Sequence, residues 1–577
     1  MIYNDLLSSE TLSLRQYLNL ENGIYTIPFS QRQYEWSRKE VTRLFNDLIA
    51  VSQDPDNNHI LNFFTFSKNE DRDTLEIFDG QQRTITSMLI IANVLQRIAI
   101  DDPSAADQYR DRYVEQIDRM STSQQQKKRK LLFDSTADCD FFYKITGLSF
   151  NSNDNASVLN DKKLIGNQKK LADNYVIISE LFDEYLEITK EVSLKEIINS
   201  ILDHTYLIRL IAESEEIAQS MFETLNNTGR NLEKYYVLKN DFVRVLGENN
   251  VRDTWNDIDS NVQEKNRKNF LIAFTTLVYG KYQKNQLVYD TKTSGENVLE
   301  HLYYNIDNSK TGDMTALMDN IKLASASFMC ICDPSQYANA SVNDKNEYSQ
   351  LINRLSMFNI KQHRPLILAM MMKNIEIGKI NFLLRKILSL VVRNIYFRED
   401  KGNTVEKPFS QMAFEFYNEQ KSFDEICSQI DKLKIKDSSL VSAILDKKIP
   451  TSQNRKIAFI LSEVYKRKLK GTEVTIKDNS NDLEHILPQN PAHGSQWLKD
   501  FPDEEMRNEL TFKLGNLTLW DNGTNRSAKN KEFVEKCNYF NNSLLEENKK
   551  IACHKHWTEE LILKRTKQLA KEICQVF

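Results

Sequence analysis

Apolar and polar positions in the first hundred residues alternate between two periods. Gly23-Ile24-Tyr25-Thr26-Ile27-Pro28 has the look of a strand stopped by proline. Ser37 and Glu40 have the S-x-x-E spacing of a capping box. Beyond them Val41, Leu44, Phe45, Leu48 and Ile49 repeat at i, i+3 and i+4, the stripe of an amphipathic helix. Runs 61–66 and 74–78 read as a strand pair that leads through Asp79-Gly80 into a helix with Ile85, Met88, Leu89, Ala92 and Leu95 on one face. The order strand, tight turn, helix is the useful feature.

From 101 to 200 the signal is mostly helical, with polar connections such as the Asn-rich 151–155. A strand-like run, 206–211, precedes a helix and turn over Met221-Phe222-Glu223-Thr224-Leu225-Asn226-Asn227-Thr228-Gly229. Between about 241 and 450 the periodicity is helical and carries no chemistry, which marks a scaffold. A last segment opens on a helix with Ile457, Ile460, Leu461, Val464 and Tyr465 inward. No fixed-period internal repeat is visible.

Length changes the picture, because 577 residues exceed what one hydrophobic core usually fills, so several domains are expected. With 40% hydrophobic and 27% charged residues, 15 Gly and 10 Pro, fibrous and disordered classes are excluded. The seven cysteines are scattered without a CxxC pair, which suits a reducing compartment and offers no zinc knuckle. The first ten residues lack the pattern of a leader, and the longest apolar run, 366–372, is too short for a bilayer. A cytoplasmic protein with no membrane partner is therefore expected. A net charge of −5 excludes a generic polyanion-coating protein, and leaves open a basic surface confined to one groove. The cluster Lys127-Lys128-Arg129-Lys130 reads as solvated surface, with phosphate contact as the alternative.

Phosphodiester hydrolysis needs an activated water and a cation that neutralises charge developing on phosphorus and the leaving oxygen. A histidine base with one or two oxygen ligands meets that need. In Asp482-Leu483-Glu484-His485-Ile486-Leu487-Pro488 an acid directly precedes a histidine on a strand-like run closed by proline. Strand neighbours point to opposite faces, so Glu484 and His485 share one site only where the strand bends, as Pro488 permits. Leu514-Gly515-Asn516-Leu517-Thr518-Leu519-Trp520 reads as another short strand, and Asn525-Arg526-Ser527-Ala528-Lys529-Asn530 opens a helix. Singly, these residues would be a surface pair and turn-capping asparagines. Three such elements in order point to one centre.

The E-H-I-x-P, G-N-L-T-L and N-x(4)-N-x-x-F elements, the last being Asn525, Asn530 and Phe533, resemble the HNH-type domain that closes GmrSD-like modification-dependent restriction enzymes. Trp557 and Arg565 fit the ending of that family. The resemblance implies a ββα-metal nuclease with His485 as general base, Glu484 as metal ligand and Asn516 as the residue that steadies the loop or the base. Asn525 would be the second ligand, with Asn530 as the alternative, and Mg²⁺ or Mn²⁺ the cation. Glu484 departs from the aspartate more usual before the HNH histidine. His493, His554 and His556 fall outside the pattern.

At the other end, Ile27-Pro28-Phe29-Ser30-Gln31-Arg32-Gln33-Tyr34-Glu35-Trp36 and Asp79-Gly80-Gln81-Gln82-Arg83-Thr84 resemble the I-P-x-Y-Q-R-x-Y-x-W and D-G-Q-Q-R motifs of the ParB-like domain that begins GmrSD-type proteins and the related SspE nuclease. Phe222, Glu223, Asn226, Gly229, Leu232, Lys239 and Asn240 resemble its closing signature. The residues have their own logic: Gly80 permits a tight turn, the helix start offers free N–H groups, and Arg83 can fork onto phosphate. Arg32 could add a second cation, and Asp79 could hold a metal or a ribose hydroxyl. The plainer reading pairs Asp79 with Arg83 inside the fold and makes Tyr34 and Trp36 core aromatics. By resemblance, Arg32, Asp79, Gly80, Gln81, Gln82 and Arg83 form a nucleotide or phosphate site, and Gln31, Tyr34 and Trp36 sense DNA or its modification. Ser30 stands where the family has tyrosine and Gln33 where proline is frequent. No Walker A sequence is present, so any NTP hydrolysis would use this site.

The expectation is an α+β protein with a ParB-like sensor and NTPase domain over 1–245, a helical scaffold over 246–439 and an HNH-type nuclease domain over 440–577. Its expected role is nucleotide- and metal-dependent cleavage of modified phage DNA in a type IV-like restriction system, with the NTP unspecified and a homo-oligomer open. Two rivals stand beside it. One is a ParB-like DNA-binding protein with a degenerate HNH part; the other is an NTPase for which the nuclease is secondary.

Overall fold

The computed structural model describes residues 7–54, 57–69, 73–117, 127–148, 157–189, 193–214, 217–218, 221, 234–279, 298–337, 341–469, 483–520 and 530–577. The chain divides into two compact units, Met1–Asp253 and Thr254–Phe577, and its class is mixed α+β.

The first unit is built on a six-stranded mixed sheet. Its strands are β1 (Leu7–Ser13), β2 (Tyr25–Ile27), β3 (His59–Asn69), β4 (Thr74–Asp79), β7 (Leu131–Phe133) and β8 (Thr205–Ala212), in the order β1-β8-β3-β4-β2-β7. The pairs β1–β8 and β3–β4 are antiparallel, and the other pairs are parallel. Two further strands, β5 (Glu115–Ile117) and β6 (Lys127–Arg129), pair separately.

A short helix, α1 (Leu14–Leu18), leaves β1 and buries Leu14, Tyr17 and Leu18. Helix α3 (Gln81–Asp101) follows β4 and is the axis of the unit: between 81 and 98 every residue except Arg83 is buried. Among the described residues it is the one helix long and apolar enough to cross a membrane, but its apolar window is 83% buried. It packs against α2 (Arg38–Gln53), α4 (Pro103–Tyr113), α5 (Thr136–Thr146), α6 (Gly166–Ile188) and α7 (Leu194–His204). Tyr25, Leu61, Phe64, Phe66 and Ile77 from the sheet join this core. Helix α8 (Lys234–Leu246) follows later in the same unit. The capping box forms, with the Ser37 N–H donating to Glu40 Oε2 at 3.0 Å, and the whole stripe from Val41 to Ile49 is buried.

Two expectations change here. The segment 101–200 contains β5, β6 and β7 as well as helices, because three-residue strands are too short to show a period. The basic cluster is only half surface. Lys127 and Lys128 are exposed, whereas Arg129 bonds Glu115 at 2.9 Å and Asp140 at 2.7 Å. Lys130 is buried and donates to the Asn19 and Gly23 carbonyls at 2.7 and 2.6 Å. The expected turn over 222–229 lies outside the described residues.

The described part of the second unit is helical apart from one strand pair, β9 (Leu483–His485) with β10 (Leu517–Leu519). A π-helical stretch, Val391–Phe397, ties the helical middle to the segment around 433–435: Arg393 donates to Ile435 O at 2.9 Å, and the Asn394 amide bonds Leu433 O and the Ile435 N–H at 2.9 and 3.0 Å. After it come α9 (Asn454–Lys468), which buries Ile457, Ile460, Leu461, Val464 and Tyr465, then α10 (Phe533–Asn541), α11 (Glu546–Ala552) and α12 (Glu559–Val576). The strand expected over 514–520 is shorter, because Leu514–Asn516 is a 3₁₀ turn. The cause is α12: a Cβ on Gly515 would collide with Ile562 O and Thr566, while Arg565 takes both Gly515 O and Leu517 O at 2.7 Å.

Candidate functional site

Strands β9 and β10 run antiparallel with Leu517 opposite His485 and Thr518 opposite Glu484. Alternation turns the two neighbours apart. Glu484 points inward, where Oε1 accepts from Lys536 Nζ at 2.6 Å and Oε2 from the Trp520 indole at 3.4 Å. Lys536 also donates to His485 O at 2.8 Å and Ile486 O at 3.1 Å. Burial lowers this ammonium's pKa, opposed by its pairing with Glu484.

His485 is half-buried, edge-on to Phe512, with Nε2 3.0 Å from the Gln489 amide nitrogen. Burial, with the nearby Lys536 charge adding, pulls its imidazole down to about 4. It is therefore neutral at neutral pH, able to accept a proton.

Asn516 has no exposed surface, and its amide clamps the bend after His485. Oδ1 accepts the Leu487 N–H at 2.7 Å and the Trp557 indole at 3.1 Å; Nδ2 donates to Leu487 O at 2.9 Å and Thr511 O at 3.0 Å. Its carbonyl accepts the Ile486 N–H at 2.9 Å. Asn530 is exposed, and Asn525 lies outside the described residues. His493, His554 and His556 are exposed. Among the described residues no three His, Cys, Asp or Glu gather to hold a metal. Of the described candidate ligands, Glu484 is engaged by an ammonium and Asn530 is exposed.

Sequence reasoning missed Lys536 and Trp520. A signal existed: Lys536 lies between Phe533 and Phe540 on the apolar stripe of α10, where a lysine must be paired.

In the first unit Gly80 adopts φ 103°, a conformation in which a Cβ would fall on the Phe64 ring. Asp79 Oδ1 accepts the Gly80 N–H at 2.8 Å, and Oδ2 pairs with Arg83 at 3.0 Å. The Arg83 guanidinium also bonds Leu61 O, and Phe63 O at 2.9 Å, and lies 4.5 Å over the Phe64 ring. These carbonyls flank a bulge in β3 where Asn62 has φ 74°. The fork of Arg83 is thus used within the fold.

Gln81 and Gln82 hold the 28–36 loop against α3. Gln82 accepts the Glu35 N–H and donates to Gln33 O, both at 2.9 Å, and Gln81 Nε2 reaches Arg32 O at 3.4 Å. Helix α8 grips the loop from elsewhere, through Lys239 on Phe29 O and the Tyr236 hydroxyl on Glu35. Tyr34 is buried with its hydroxyl 2.7 Å from Thr86 Oγ1, and Trp36 packs half-buried against the core. Arg32 has a largely exposed side chain, 4.0 Å from Glu35. Four buried polar atoms here have no hydrogen-bond partner among the described residues: Ser30 Oγ, Gln31 Nε2, Gln81 Oε1 and Asn240 Oδ1.

The molecule is thus a two-part α+β protein with a polar centre in each part, one at a glycine-started helix and one at a histidine-bearing strand pair. Two family models match the chain: the N-terminal domain of GmrSD restriction endonucleases over residues 14–243, and the C-terminal domain of the same enzymes over 434–572. No curated relative matches the chain. The chain belongs to the GmrSD family of restriction endonucleases, hydrolases that cleave DNA in phage defence.

Proposed function

We propose that this protein is a nucleotide- and metal-dependent endonuclease of the cytoplasm that cuts modified phage DNA, with His485 as the general base of an HNH-type centre. The carrying observation is His485 itself. Its backbone is fixed by bonds from Lys536, and Asn516 locks the bend after it. A positioned neutral imidazole can take the proton of a water attacking phosphorus. Mg²⁺ or Mn²⁺ dependence belongs to the proposal, with Asn525 and Asn530 as candidate ligands.

In the first unit, a ParB-like fold and a nucleotide seat complete the reading. Buried polar atoms of Ser30, Gln31 and Gln81 have no partner among the described residues, which costs stability unless a further group, a ligand or water supplies one. They would hold polar edges of a nucleotide near the start of α3, with Arg32 as the exposed cation. Arg83, Asp79 and Gly80 would shape that seat through the turn and the bulge.

The test incubates the purified chain with unmodified, glucosylated and phosphorothioated DNA, with Mg²⁺, Mn²⁺ or EDTA, and with or without each NTP. Cleavage of one modified DNA is expected with metal and one NTP, and is expected to vanish in His485→Ala. Normal cleavage by that variant would remove His485 as base. Nucleotide turnover without DNA loss would favour the NTPase reading.

A further inference from the structure

Behind the strand that carries His485 lies a charged group to which the family resemblance gives no role. Lys536 has no exposed surface and sits on α10 among Phe533, Phe540, Trp520 and the rest of the aromatic core. An ammonium has three N–H donors. Here each meets an oxygen: Glu484 Oε1 at 2.6 Å, His485 O at 2.8 Å and Ile486 O at 3.1 Å. A carboxylate with two backbone carbonyls is the kind of donor set a hard cation takes. The chain fills it with a cation of its own.

We propose that Lys536 is a built-in cation that positions His485, and that Glu484 is its counter-ion and a buttress of β9 instead of a metal ligand. This rests on the reading of His485 as the base. Two of the three oxygens that Lys536 binds belong to the peptide units of His485 and Ile486, so the ammonium fixes the backbone from which the imidazole projects. Glu484 faces the ammonium and the Trp520 indole, on the side of the strand opposite His485. Turning it toward a divalent ion would strand a buried ammonium, and breaking one side of a buried pair is strongly destabilising. A divalent ion on the same carboxylate would meet that ammonium as a like charge at close range. Lysine suits the seat because its three donors radiate from one compact atom, unlike the planar fork of arginine.

The test uses the full chain as wild type, Lys536→Met, Glu484→Gln and the double variant Glu484→Gln/Lys536→Met. Thermal unfolding, Mn²⁺ binding by electron paramagnetic resonance and steady-state cleavage of cognate DNA are measured for each. The single variants are expected to melt lower than the double, which no longer buries an unpaired charge. The double variant is expected to bind Mn²⁺ within about threefold of wild type while kcat falls about tenfold or more at unchanged KM, as when a positioning contact is lost. A double variant that melts normally but binds Mn²⁺ about tenfold more weakly makes Glu484 a ligand and overturns the proposal. Wild-type kcat in that variant overturns the positioning role. A wild-type chain that binds no Mn²⁺ and cuts no DNA overturns the nuclease reading itself and this proposal with it, a result distinct from the other two.

Discussion

The Trp557 indole donates to Asn516 Oδ1 at 3.1 Å, onto the same oxygen that receives the Leu487 N–H at 2.7 Å. One amide therefore joins the bend after His485, the turn before β10 and the aromatic core. Asn516→Ala leaves four buried partners unsatisfied and is expected to destabilise the protein by about 2–4 kcal/mol. Asn516→Asp keeps the acceptor but loses both donated bonds, so it should also be unstable. Denaturant unfolding checks this, and a loss below about 0.5 kcal/mol for the alanine variant would contradict the clamp.

Gly80 combines a positive φ with contact against the Phe64 ring, so two separate penalties oppose any side chain. Gly80→Ala is expected to lower stability by about 2 kcal/mol or more. Truncating the ring in Gly80→Ala/Phe64→Leu should relieve the collision and leave the dihedral strain, so the two substitutions should be less than additive. Additive melting shifts would show that the ring is not the obstacle.

Arg83 is expected to act on nucleotide binding through structure. Arg83→Lys retains charge but loses the fork that joins Asp79 to the two carbonyls of the β3 bulge. It should lose about 1–3 kcal/mol of stability and weaken nucleotide binding together. Calorimetry beside thermal melting separates the outcomes, because a phosphate-contact role alone would weaken binding at unchanged stability.

Lys130 provides a pH dependence. Burial, with Arg209 and Lys128 adding, pulls its ammonium from 10.5 down to about 7. Below pH 7 it is protonated folded or unfolded, and the folded state bears the full burial penalty. Between about 7 and 10.5 the unfolded chain holds the extra proton, so stability rises with pH. Relative to Lys130→Met, the wild type should gain about 2–3 kcal/mol between pH 7 and 9.5. Unfolding midpoints that run parallel across that window would refute it.

What could be read from the chain was whatever lies within a few residues. Ser37 and Glu40 announce a cap because both partners are three residues apart, and the Val41 to Ile49 stripe announces a buried face. The alternation of Glu484 and His485 was legible too, and it holds on β9. The partner awaiting Glu484 was not, because Lys536 approaches from a helix fifty-two residues on. Arg83 could be recognised as a fork but not as the clamp of a bulge set by Asn62, twenty-one residues back on β3. Gly515 looked like part of a strand, since only the packing of α12 forces the turn.

The sheet order also imposes a schedule on synthesis. Strands β3, β4, β2 and β7 can associate once residue 133 has emerged from the ribosome, but among the described strands β1 pairs with β8 alone. The earliest of the six strands to be made is thus the last to find its place, waiting until residue 212 has been translated. Leu7 to Ser13 stay available to a second nascent chain for that interval, so slow translation between the two strands would favour strand exchange on crowded polysomes.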